Sequence, residues 1–177
     1  MSLEPLPLQD HGEGFFTWHA YDPSCKAELW STACCSQGIN VLFDPIPWPK
    51  GNPQPGNPLQ IVQTNGNHDR ECKALEKLFS AEITKQPKGF QNISLPGAGA
   101  GETAYFHPSS ETLVVGDALI HLAPHPLMPL PDKYCTEPAA LKVSLMELLK
   151  YPIRRIFFAH GAPILQDGLE QIRKLLS

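Results

Sequence analysis

A chain of 177 residues, 42% hydrophobic and 18% charged, is long enough to bury a sizeable core and fits one domain of a water-soluble protein. Its formal net charge of −4 and pI near 5.9 give no electrostatic pull toward nucleic acid or an anionic membrane, so neither partner is expected. No apolar run reaches the ~18 residues that a membrane helix needs, and Met1 to Pro7 lacks the basic start and apolar stretch of a secretory signal.

The chain opens with β structure. Residues 1–13 read as an N-terminal extension of a single domain spanning 1–177. Phe15 to Tyr21 and Ala27 to Thr32 are runs of aromatic and β-type residues, joined across an Asp22-Pro23-Ser24 turn. Gln37-Gly38 marks a second turn before a third strand, Ile39 to Asp44. Cys34 and Cys35 are adjacent and so point to opposite faces of a strand. Without C-x-x-C spacing, the five cysteines read as reduced thiols of a cytoplasmic protein.

Residues 45–58 carry Pro45, Pro47, Pro49, Pro53, Pro55 and Pro58, which excludes a regular helix or a central strand and predicts a surface loop or lid around Trp48. A buried strand follows at Leu59 to Gln63, then the polar segment Thr64 to Arg70. The next helix places Cys72, Leu75, Leu78 and Phe79 on one face, with Asp69 as a candidate N-cap. Asn92 to Leu95 is a strand and Pro96 to Gly101 a glycine-rich loop. That loop is a weak phosphate cradle, since no lysine or clear helix start follows it. Strands at Thr103 to Phe106 and Thr112 to Asp117 flank a Ser109-Ser110 turn. The last third is a helix capped by Thr136, with Pro138 in its first turn and a Leu141, Leu145, Leu148, Leu149 stripe. A buried strand, Arg155 to Ala159, precedes a closing helix lined by Leu169, Ile172, Leu175 and Leu176. Strands first, then mixed helix and strand, imply an α/β sandwich.

Three polar groups lie just past strand ends: Thr64 to Arg70, Gly116-Asp117 and His160-Gly161. Strand ends that feed loops are where α/β folds assemble sites. From about residue 14 onward, their order resembles the metallo-β-lactamase superfamily. Its T-H-x-H-x-D-H segment is matched by Thr64-Asn65-Gly66-Asn67-His68-Asp69-Arg70, and its P-G-H-T-x-G loop by Pro96-Gly97-Ala98-Gly99-Ala100-Gly101. Its V-G-D and H-G-x-P segments are matched by Val115-Gly116-Asp117 and His160-Gly161-Ala162-Pro163.

The resemblance implies a four-layer αβ/βα sandwich and a site built from these segments. It also implies that the family's dinuclear zinc centre is lost. Asn65, Asn67 and Ala98 stand where that family places the histidines of its first zinc, and neutral amides are poor zinc donors. For the second zinc, Asp69, Asp117 and His160 remain, and Arg70 replaces the last histidine.

A permanent guanidinium suits converging carboxylates, so Arg70 is expected to neutralise Asp117 where a zinc ion would lie. The pocket residues implied are Asn65, Asn67, His68, Arg70 and Ala98, with no metal expected and a small molecule as ligand. The alternative is one zinc, iron or manganese ion held by Asp69, Asp117 and His160, hydrolysing an ester, thioester or phosphoester. His68 falls on the family's variable position and is expected not to be a ligand. Asp117 and His160 also read as a structural pair, His121 and His125 as surface residues, and His11, His19 and His107 as residues without an evident partner. A homodimer through the Trp48 loop is a further reading.

Overall fold

The computed structural model describes residues 3–36 and 38–177; Met1, Ser2 and Gln37, the last part of a predicted turn, lie outside the described residues. The chain, read above as one domain, divides into two compact units: Met1–Gln63 with His68–Lys88, and Thr64–Asn67 with Gly89–Ser177.

The first unit is built on six strands in sequence order: β1 (Gln9–Asp10), β2 (Phe15–Asp22), β3 (Ala27–Ser36), β4 (Ile39–Phe43), β5 (Gln60–Val62) and β6 (Glu82–Ile83). β1 to β4 pair antiparallel, with Trp18 opposite Ser31 and Cys34 opposite Val41, whereas β5 and β6 add in parallel. The period of two along β2 and β3 sends Trp18, Ala20, Leu29 and Ala33 into one apolar cluster with Leu42 and Ile61. Cys35 packs against that cluster while Cys34 is buried outside it, as opposite faces require.

Helix α1 (Cys72–Phe79) covers the cluster with Cys72, Leu75 and Phe79. Leu75 and Phe79 each contribute about 1.5–3 kcal/mol on burial. Leu78, expected on that face, is 63% exposed. At 3.6 residues per turn it lies roughly 120° away from Cys72. The helix N-cap is Glu71 rather than Asp69, and Ser80 ends the helix in the left-handed region at φ 51°.

The proline loop is irregular, as expected, and pinned by Trp48. That ring meets Trp18 and Phe79 edge-on at 5.2 and 5.8 Å, and the Trp18 indole N–H donates to the Pro47 carbonyl at 3.2 Å.

The second unit has a four-stranded sheet ordered β12 (Arg155–Phe158), β9 (Thr112–Val115), β8 (Thr103–His107), β7 (Gln91–Ser94). β12 and β9 run parallel and the other pairs antiparallel. Leu113, Val115, Ile156 and Phe158 meet Leu141, Leu145 and Leu148 of helix α2 (Pro138–Leu145) and the 3-10 segment that extends it, and Ile172 of helix α3 (Gly168–Leu176).

Thr136 does not cap α2: its N-cap is Glu137, and no side chain makes the capping bond. The Thr136 and Glu137 N–H groups donate instead to the Ala98 and Gly97 carbonyls, at 3.0 and 3.1 Å. A β-carbon on Gly97 would lie 2.2 Å from the Leu141 nitrogen, so the glycine-rich loop is packed onto this helix start. A small ribbon, β10 (Leu119–Ile120) with β11 (Met128–Pro129), completes the unit. Among the described residues no helix is long and apolar enough to cross a membrane.

Candidate functional site

In the second unit, Gly116-Asp117 follows the end of β9 and Ala159-His160 the end of β12, the two tips joined by the Ala159 N–H to the Val115 carbonyl at 3.1 Å. The segment 64–67 is stitched beside them: Thr103 N–H donates to the Thr64 carbonyl and Gly66 N–H to the Ala100 carbonyl, both at 2.8 Å. Gly116 is dictated by this closeness. A β-carbon there would sit 2.2 Å from the Thr64 hydroxyl and 2.7 Å from a Glu102 carboxylate oxygen.

Asn65, 3% exposed, is the hub. Its Nδ2 donates to Glu102 Oε2 at 2.7 Å and to Asp117 Oδ2 at 3.0 Å, while its Oδ1 accepts the Asn67 N–H at 2.9 Å. The reversed amide would set Oδ1 against two carboxylates, so the network itself fixes the orientation. Glu102 Oε1 also accepts the Ala118 N–H at 3.1 Å. Asp117 Oδ1 lies 3.2 Å from His160 Nε2, and both side chains keep partial exposure. Two carboxylates, one amide and one imidazole thus form a continuous polar chain.

Asn67 is exposed, and Ala98 is fully buried within the apolar cluster. His121, expected at the surface, is half-buried and donates from Nδ1 to the Ala162 carbonyl at 2.7 Å; His125 is exposed.

In the first unit, His68 is buried. Its Nδ1 donates to Asp44 Oδ2 at 2.9 Å, with the two side chains 5% and 3% exposed. Asp44 itself is held by its N–H to the Val62 carbonyl at 2.9 Å, and its carbonyl accepts from the Ser31 hydroxyl at 2.8 Å. Arg70 Nη1 donates to the Trp30 and Asp44 carbonyls at 2.6 and 2.9 Å. Asp69 is exposed, and its carbonyl accepts the Cys72 N–H at 2.8 Å. Burial, assisted by the Asp44 carboxylate, pushes the Cys72 thiol up to about 12, so it offers no thiolate at neutral pH.

Of the other histidines, His11 meets the Thr17 hydroxyl at 2.7 Å, His19 pairs with Glu28 at 2.8 Å and stacks on Trp30, and His107 meets the Ser110 hydroxyl at 2.7 Å. Sequence reasoning missed Glu102 and Asp44. A charged residue after a glycine loop, or at a strand end before proline, reads as solvated until burial is known.

A ligand to zinc must aim a lone pair at the ion, whereas Asn65 aims N–H groups at carboxylates and Ala98 has no donor.

The comparisons place the fold. No family model and no curated protein matches the sequence. Solved structures do match. The DIM-1 metallo-β-lactamase shares 14% identity, covering 99% of this chain and 97% of that one at a TM-score of 0.68. A metallo-β-lactamase from Erythrobacter litoralis shares 14%, covering 96% and 91% at 0.64. FIM-1 from Pseudomonas aeruginosa, in a mono-zinc form, shares 10%, covering 97% and 95% at 0.66. At such identities the likeness establishes the fold alone: this chain has the mixed α/β fold of the metallo-β-lactamases.

Proposed function

From that fold, we propose that the protein does not form the dinuclear zinc centre and is a non-hydrolytic, small-molecule-binding member of the superfamily. The observation that carries this reading is the Asn65 amide, which spends its N–H groups on Glu102 and Asp117. A zinc ion there would face protons in place of lone pairs. Of the pocket residues that the sequence implies, Asn65 and Asn67, both in the second unit, carry this proposal, whereas Ala98 is buried in that unit's apolar cluster. The five cysteines, none of them in a disulfide, accord with a cytoplasmic setting. The test is a thermal-shift screen of small metabolites, run beside hydrolysis assays on ester, thioester and phosphoester substrates with and without added zinc, iron or manganese. Stabilisation by a compound that is returned unchanged supports the proposal. Metal-dependent turnover overturns it.

One observation favours a second reading. The His160 imidazole lies beside the Asp117 carboxylate, Nε2 to Oδ1 at 3.2 Å, and imidazole and carboxylate are both usual donors to a divalent ion. In that reading Asp117 and His160, both in the second unit, would be donors to one zinc, iron or manganese ion. A bound ion supplies Lewis acidity and an acidified water for hydrolysis.

A further inference from the structure

We propose that the first unit carries a ligand groove at Trp48 that takes a flat, uncharged aromatic compound with an amide or lactam edge. Phe16 and Ala33 stand opposite each other on β2 and β3, and Cys35 packs from the same face. With Trp48 they line a groove of about 370 Å³, which Leu8, Asp10 and Asn52 complete. All of these residues belong to the first unit, so the groove shares none with the Asn65 chain of the second. Small-molecule sites span roughly 300–1,000 Å³ and are mostly apolar, with a few placed polar groups. This groove matches them in size and in lining.

Two polar groups of the lining point to the chemistry of the occupant. The Trp48 indole N–H is shielded from solvent and meets no acceptor among the described residues. The Trp18 indole beside it, by contrast, donates to the Pro47 carbonyl at 3.2 Å. A buried donor without an acceptor is costly, and a carbonyl carried in by a ligand removes that cost. The half-buried Asn52 side chain also makes no hydrogen bond among the described residues, and its amide offers both donors and an acceptor. An amide or lactam edge answers both groups, and the Phe16 and Trp48 rings suit an aromatic body. Charge sets the remaining limit. Burial pushes the Cys35 thiol up and keeps it neutral, which leaves Asp10 as the ionised side chain of the lining, so an anionic compound is repelled.

Titration of the isotope-labelled full chain with isoquinolinone, a flat bicyclic lactam, tests this by NMR. The readouts are the indole N–H resonances of the three tryptophans and the ligand's own lines. The parent is expected to bind, with the Trp48 indole proton moving downfield as it gains an acceptor. Trp48→Phe assigns that resonance and keeps a ring against Trp18 and Phe79. It is expected to fold, by circular dichroism, and to bind about tenfold more weakly. Asn52→Ala, in the irregular loop, is expected to weaken binding by about 3–10-fold. Naphthoate, similar in shape but anionic, is expected to bind at least about tenfold more weakly than the lactam. His125→Ala, at an exposed site of the second unit, is expected to bind as the parent does. The proposal is overturned if the parent does not bind the lactam, or binds it with the Trp48 resonance unmoved. Equal binding by Asn52→Ala and the parent, or of naphthoate and the lactam, overturns it as well.

Discussion

Replacing Asn65 by leucine, close to it in size but without polar atoms, removes the amide that joins Glu102, Asp117 and the Asn67 N–H. Each hydrogen bond to a charged group contributes about 1.5–3 kcal/mol, and a neutral one about 1. The carboxylate of Glu102, 2% exposed, is then left short of a donor, although the leucine's own apolar burial offsets part of the loss. The expected net destabilisation is about 3–5 kcal/mol, a large share of the ~5–15 kcal/mol that holds a typical domain together. For a chain of this size each kcal/mol moves the melting temperature by about 2–4 °C, so the Tm is expected to fall by about 6–20 °C. Urea melts at pH 7 measure the loss directly, with an unchanged slope showing that the transition itself is the same. Asn65→Asp sets a third carboxylate against the other two, and its expected loss at pH 7 is partly recovered in acid as that group protonates. A leucine variant within about 1 kcal/mol of the parent would refute the idea that this amide organises the site.

Other substitutions probe the surroundings. Gly116→Ala puts a β-carbon 2.2 Å from the Thr64 hydroxyl, and overpacking of this kind is expected to cost about 1–3 kcal/mol in a denaturant melt. Arg70→Ala strips donors from the Trp30 and Asp44 carbonyls and is expected to cost about 2–4 kcal/mol; a melt matching the parent's would make Arg70 a solvated residue. Folding raises the Cys72 thiol from 9.0 to about 12, so the unfolded chain ionises first. The stability tied to the neutral thiol is therefore complete below pH 9.0 and lost as pH rises toward 12. Cys72→Ala is expected to flatten that alkaline limb, and native Cys72 is expected to resist iodoacetamide at pH 8 while exposed Cys25 reacts.

Strand ends were the readable part of the molecule. Aromatic and β-branched runs located β2, β4, β8, β9 and β12 to within a residue or two at most ends, because each is a near-continuous run of such residues, in β9 and β12 buried on both faces. Helix α1 was legible as a helix but not in its phase, since Leu78 satisfies an i+3 count from Leu75 while pointing to solvent. The start of α2 was misassigned for a different reason. The N–H groups of Thr136 and Glu137, just before the helix, are taken by the carbonyls of Ala98 and Gly97, far away in the chain, and no local signal can announce that. The site divides in the same way. Asn65, Asp117 and His160 stand just past strand ends, where a strand-end reading of the sequence looks, and the structure brings them into one polar chain. Glu102 and Asp44 act through burial and through partners distant in sequence, which a composition or spacing signal does not carry.

Elemental analysis of the purified protein, equilibrated with zinc at physiological levels and then freed of loose metal, tests the central claim most directly. The account predicts no more than one tightly bound equivalent per chain, because Asn65 offers N–H groups to carboxylates and Ala98 offers nothing. Two tightly bound equivalents of zinc would contradict it.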